Sequence, residues 1–248
     1  MEDIDLSSDK LRQEKKIKKI IKITLLILVL LFLILYFVVG IFYNNGNFSV
    51  SLDKNLYFDK GLIIYDSDTY KVYRSELYAQ APETFDNISA KWLPNDLHDD
   101  EGGTHNGDNY LAYTFFIENT GDSVSDYWYE VNIDDVIRNV DDAVRVRVYK
   151  DGKETTYAKK SINGTAEPGT VSFLTDTLIA REHVSNFNVG DKHKFTVVLW
   201  IEGSDPECTD NILGGEFKVH LDFKSQIIDE KEKGSKEWQK EITNMKEE

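Results

Sequence analysis

AVRVRVYKDGKETTYA, residues 143–158, alternates valine with arginine and then breaks at Asp151-Gly152. Successive side chains leave an extended chain on opposite faces, so Val144, Val146 and Val148 point one way and Arg145 and Arg147 the other. Asp-Gly accepts the positive φ of a tight turn, and the stretch therefore predicts a β-hairpin with one half-buried face.

The same alternation recurs on both sides. In YLAYTFFIENTGD, residues 110–122, Leu111, Tyr113, Phe115 and Ile117 share one side, and the turn residues from Asn119 to Asp122 end the run. Residues 128–133, KFTVVLWIE at 194–202 and EFKVHLDF at 216–223 repeat it, the last with Phe217, Val219, Leu221 and Phe223 on one face. Weaker strands are expected near 48–52, 61–65, 70–73 and 88–92, and short helices at 134–140 and 176–186 would cover an edge or an end. About nine strands spaced by turns, with no recurring helix, predict an all-β fold: an antiparallel β-sandwich, jelly-roll-like or Ig-like. WIEGSDPECTDNILGG, residues 200–215, then reads as a turn-rich connection between two patterned strands.

Ahead of this region lies ITLLILVLLFLILYFVVGIFY, residues 23–43, without a single charge. At about 1.5 Å per helical residue it spans about 30 Å, a bilayer's hydrocarbon core. Lys10, Arg12, Lys15, Lys16, Lys18, Lys19 and Lys22 crowd its near end, and Tyr36, Phe42 and Tyr43 mark its far end. The asymmetry places the N-terminus in the cytoplasm and the rest outside. Four segments follow: a basic cytoplasmic stretch (1–22), a transmembrane signal anchor (23–43), an extracellular β-sandwich (44–224) and a Lys/Glu-rich tail (225–248). In the tail, Trp238, Ile242 and Met245 have the spacing of one helical face. A cleaved signal peptide is the competing reading, and cleavage would release a secreted protein; the apolar run exceeds the usual length and no A-x-A follows.

Net charge is −15, and it is uneven: residues 1–22 carry +2 and the remainder −17. An acidic exterior excludes nucleic-acid binding through a general basic surface. The single cysteine, Cys208, cannot close an intramolecular disulfide or supply a CxxC metal site, so stability rests on an ordinary core. Absence of disulfides in an exported domain fits a bacterium with one membrane.

No HExxH, GxSxG, Walker loop or GxGxxG is present, so no reaction has its local signature. The most polar loop is NDLHDDEGGTHNGDN, residues 95–109, where Asp99, Asp100 and Glu101 with His98, His105 and Asp108 gather oxygen and imidazole donors around glycines. Those donors suit calcium or a transition metal, although the acids lack EF-hand spacing. A metal-dependent surface hydrolase centred on this loop is the enzymatic alternative.

YTFFIENTGD, AVRVRVYKDG, VGDKHKFTVVLWIEG and GGEFKVHLDF, behind a hydrophobic export segment, resemble the TasA/camelysin group of exported bacterial proteins. The resemblance implies a jelly-roll-like sandwich, a place at the cell surface or in extracellular matrix fibres, and a protein partner or self-association. It transfers no catalytic residue. If the anchor is cut, it implies that NFSVSLD, residues 47–53, adds as a strand to a neighbour's sheet edge. The expected function is a non-enzymatic, membrane-anchored cell-surface interaction module, with a secreted matrix-fibre subunit as the alternative.

Overall fold

The computed structural model describes residues 2–43, 47–82, 84 and 86–226. The chain divides into two compact units, residues 1–45 and the remainder. The tail helix expected around Trp238, Ile242 and Met245 lies outside the described residues.

In the first unit, α1 (Glu2–Tyr43) is one uninterrupted helix. The stretch Lys15–Phe37 is long and apolar enough to cross a membrane, and none of it is buried against protein. The helix therefore begins well ahead of the charge-free run, because the lysine-rich segment, free of glycine and proline, consists of good helix formers.

The second unit is built from strands. In chain order these are β1 (Phe48–Leu52), β2 (Leu62–Tyr65), β3 (Glu76–Ala79), β4 (Gly103–Thr104), β5 (Leu111–Asn119), β6 (Ser125–Val136), β7 (Val144–Lys150), β8 (Lys153–Ala158), β9 (Val171–Ser172), β10 (Leu178–Phe187), β11 (Lys192–Ile201) and β12 (Phe217–Lys224). A five-residue helix, α2 (Lys54–Phe58), follows β1, capped by the Asp53 side chain. One sheet has the order β10-β6-β12-β1-β3; the other runs β2-β5-β11-β7-β8-β9, with β4 also pairing β5.

One core lies between the sheets. Phe48, Val50, Tyr127, Val131, Leu221 and Phe223 enter it from the first sheet, and Tyr113, Phe115, Val146, Phe195 and Val197 from the second. Phe115 stacks on Phe195 with ring centres 5.5 Å apart and meets Phe223 of the facing sheet edge-on at 6.2 Å. The alternation of apolar residues thus maps directly onto the buried face, as a period of two requires. The β7–β8 hairpin turns at Asp151 and Gly152, both at positive φ (51° and 77°).

Asn-Thr-Gly-Asp after β5 is a packing device as well as a turn. Asn119 is fully buried; its Nδ2 donates to the Ser123 and Phe187 carbonyls, and its Oδ1 accepts the Gly121 N–H. A Cβ on Gly121 would sit 2.1 Å from the Lys60 carbonyl oxygen, so only glycine lets the α2–β2 connection approach this closely.

Several sequence expectations need correction. Residues 134–140 are not a helix: β6 runs through Val136 and ends where Arg138 and Asn139 take positive φ (60° and 51°). The segment expected as a helix at 176–186 is β10, whose two register breaks, at Leu178/Ala180 and Val184/Phe187, shift its buried residues to helix-like spacing. The sheets are not wholly antiparallel, because β1 pairs β12, and β8 pairs β9, in parallel. No tight turn links either pair, so strand direction is set by which register buries Phe48, Val50 and Leu52 beside Val219, Leu221 and Phe223. In the uncleaved chain β1 lies between β12 and β3 of its own sheet.

Two outer-face clusters account for the weak strands expected at 70–73 and 88–92. Residues 70–73 contribute no strand; Arg74 makes a single bridge to Ile64, and Tyr73 lies edge-on to Tyr65. Residues 90–92 form a 3-10 turn, and Ile88, Leu93 and Leu97 cover the outer face of the second sheet over Ala112, Tyr149, Val198 and Trp200.

Candidate functional site

The 95–109 loop is anchored by its histidines. His98 stacks on Tyr149 with ring centres 5.1 Å apart. His105 Nε2 lies 2.9 Å from Thr114 Oγ1, which in turn bonds Thr196 Oγ1 at 2.7 Å, and burial lowers the imidazole pKa. Asp100 accepts the Gly102 N–H at 3.1 Å and stands 4.0 Å from His105 Nδ1. Asp99 faces solvent beside His98, 3.5 Å from its Nε2, and Glu101 is exposed. His98 and Asp100 do not meet in one cluster, and Asp99, Asp100 and Glu101 are not the carboxylates the fold brings together.

A different trio converges. Glu167, Asp205 and Glu207 each place a carboxylate oxygen within 4.8 Å of the others, the one such grouping of three metal-ligating side chains among the described residues. Arg145, 4% exposed, reaches into it from β7, hydrogen-bonded to Asp205 and 3.4 Å from Glu167. The loops 159–170 and 202–210 cover what would otherwise be a solvent-facing strand position. Asp205 Oδ1 accepts the Glu207 N–H at 2.8 Å, and Glu207 Oε1 accepts the Ile162 N–H at 3.1 Å, so each loop is tied to the charge cluster through its own backbone. Glu207 Oε2 is buried without a partner.

Three carboxylates face one guanidinium. Burial raises the Glu167 pKa, with the Asp205 charge adding to it and Arg145 opposing. Burial also works to raise Asp205, but bonds from Glu207 and Arg145 outweigh it and hold that carboxyl below its ordinary range. An oxygen-only donor set is one that a hard cation such as calcium uses. Arg145 already supplies positive charge there, so the arrangement works first as a buried ion-pair knot joining two loops to β7.

Glu202 performs a similar task next door. Its carboxylate accepts from Trp200 Nε1 at 3.0 Å, Ala90 N at 2.9 Å and Ser204 Oγ at 2.6 Å, pinning the outer cover to the end of β11. Cys208 is a half-buried free thiol whose pKa is raised by burial and by the Asp205, Asp86 and Glu202 charges, the opposite of an activated nucleophile.

Arg145 and Glu167 were illegible as site residues. Arg145 sits at an outward position of an alternating strand, where arginine ordinarily meets water, and its acidic partners lie 22 to 62 positions further along the chain.

No family model matches the chain, and no curated protein matches it. Among solved structures, a β-glucosidase from Kluyveromyces marxianus aligns at 12% identity over 50% of this chain and 12% of its own, with a TM-score of 0.23. The same yeast enzyme with glucose bound aligns at 11% over 69% and 16% (TM-score 0.23), and an α-xylosidase from Xanthomonas citri at 11% over 66% and 16% (TM-score 0.23). The chain spans less than a fifth of the length of these enzymes, and such slight alignments carry nothing about activity.

Proposed function

We propose that the protein is a single-pass membrane-anchored bacterial cell-surface protein, with a cytoplasmic N-terminus and an extracellular β unit that serves as a non-enzymatic interaction or envelope module. The observation that carries this reading is the unburied apolar helix Lys15–Phe37 attached to a β unit with a complete core of its own. Lysines at 15, 16, 18, 19 and 22 sit at one end of that span, which favours the cytoplasm for the N-terminus. Alkaline carbonate extraction and an amine-reactive, membrane-impermeant label on intact cells test it. The protein is expected to stay in the membrane pellet, and lysines of the β unit to be labelled without lysis; a carbonate-soluble protein, or labelling only after lysis, contradicts it.

For the β unit we infer a jelly roll in preference to an Ig-like sandwich. With the small strands set aside, the orders β1-β12-β6-β10 and β5-β11-β7-β8 remain. Apart from the β7–β8 hairpin, each step along these eight strands changes sheet, as two interlocked Greek keys require. The parallel β1–β12 pair is the departure from that pattern.

The secreted fibre-subunit reading keeps one specific support. β1 is a five-residue terminal strand lying between two others, so the same slot could take the β1 of a neighbouring copy. Polymerisation that stops when Val50 is replaced by aspartate in the added strand alone would favour it; assembly unaffected by that change would remove it.

Calcium at the 95–109 loop would require Asp99, Asp100 and Glu101 to converge, and among the described residues the grouping of three carboxylates is Glu167, Asp205 and Glu207. The melting temperature is expected to be unchanged by millimolar calcium followed by chelator. A reversible rise that Asp99→Asn, Asp100→Asn and Glu101→Gln together abolish would restore the loop as a calcium site.

A further inference from the structure

The outer face of the first sheet carries a chain of polar contacts across four strands. Arg181 of β10 meets Glu130 of β6 at 2.5 Å, and Lys224 of β12 bonds Glu130 and lies 3.4 Å from Asp222. His220 stands between two carboxylates, its Nδ1 2.5 Å from Asp134 Oδ1 and its Nε2 3.1 Å from Asp222 Oδ2. The Asp134 approach lies off the N–H axis, an ion-pair contact more than an aligned hydrogen bond. Asp222 then accepts the hydroxyl of Ser51, its register partner on β1.

A neutral imidazole has one N–H. With carboxylate oxygens against both nitrogens, the neutral form must turn a lone pair toward one of them; only the imidazolium suits both. We propose that Asp134, His220, Asp222 and Ser51 form a proton-operated latch on β1, closed while His220 is charged and loosened when it loses its proton.

The groups that face His220 come from its own strand and from β6, β1, β3 and β10. Cross-strand from it are Asn132 on β6 and Ser49 on β1, and Glu130 and Lys224 lie further along. Lys218 precedes it on β12, and Glu76 and Tyr78 lie beyond β1 on β3. His183 of β10, exposed and packed on Trp128 with ring centres 4.6 Å apart, is the other histidine of this face.

The sign follows from the two flanking groups. Burial works to lower the His220 pKa, but Asp222 and Asp134 outweigh it and the net direction is up. Its contribution is therefore full below the unfolded histidine value of about 6.5 and is lost as pH rises through the folded value. Burial likewise opposes ionisation of Asp222, yet His220 and Ser51 bring its pKa down to about 2. That carboxylate's contribution is present above its unfolded value of about 3.9 and is lost as pH falls through about 2. The latch is thus tightest in mild acid and opens toward alkaline pH.

Hydrogen exchange followed by mass spectrometry on the full chain in detergent micelles, corrected for the intrinsic pH dependence of exchange, reads β1 directly. Between pH 5.5 and 8.5, protection of β1 is expected to fall by about tenfold relative to β5. His220→Gln should flatten that step and His183→Gln should retain it. Asp134→Asn, which leaves the imidazole one carboxylate partner, should move the step to lower pH or remove it, and serves alone if His220→Gln fails to fold. Constant β1 protection in the wild type, or an equal fall in His220→Gln or in unshifted form in Asp134→Asn, overturns the latch.

Discussion

Arg145→Ala is expected to destabilise the β unit by about 3–5 kcal/mol, because it leaves buried carboxylates without their one cation. Asp205 is buried and bonded to Arg145, and Glu167, 9% exposed, depends on the same guanidinium. Denaturant unfolding at pH 7 measures the loss. Without Arg145 the folded carboxyls bind protons more tightly than in the unfolded chain, so the penalty is largest above their folded pKa values and shrinks as pH falls. The gap between variant and wild type should therefore narrow toward pH 4. Arg145→Lys should recover part of the loss, since an ammonium cannot reach Asp205 and Glu167 as a planar fork does. A cost below about 1 kcal/mol at every pH would mean that the cluster is solvated and not a buried knot.

Phe115→Ala should cost a similar amount, about 3–5 kcal/mol, by a different route. Phe115 is fully buried and contacts the rings of Phe195 in its own sheet and of Phe48 and Phe223 in the facing one. Removing the ring opens a void between two sheets whose backbone hydrogen bonds resist collapse, so the cavity persists. Trp92→Ala is the matching surface control: its side chain is large but 75% exposed, and its loss should change stability by no more than about 0.5 kcal/mol. Equal effects at the two positions would contradict the placement of the core.

These two residues also mark what the sequence can and cannot reveal. Phe115 is legible: it alternates with polar or outward residues in a long run, and period two determines its face. The β7–β8 hairpin is legible for the same reason, with Asp151-Gly152 fixing the register. Arg145 follows the same rule and breaks its consequence, because an outward position is exposed only if no loop covers it. The covering segments, 86–107 over the second sheet and 159–170 with 202–210 over Arg145, make contacts distant in sequence. Their anchors, Leu93, Leu97 and Glu202, carry no individual mark in sequence of the segments they pin. β10 reads as a helix in sequence because two register breaks disguise a strand's period. The parallel seating of β1 leaves no local trace at all, since nothing in FSVSL specifies the direction of its neighbour.

The anchored reading gives β1 a definite setting: the first strand after the apolar helix in sequence, held in its own sheet by Ser51 and Asp222. Whether that strand serves one copy or a neighbour depends on whether the chain keeps its first 43 residues. Mass spectrometry of the N-terminus of the protein recovered from its own cells decides this most directly. The account predicts a chain that retains residues 1–43 and fractionates with membranes; a chain beginning near residue 41 and found in the medium would contradict it.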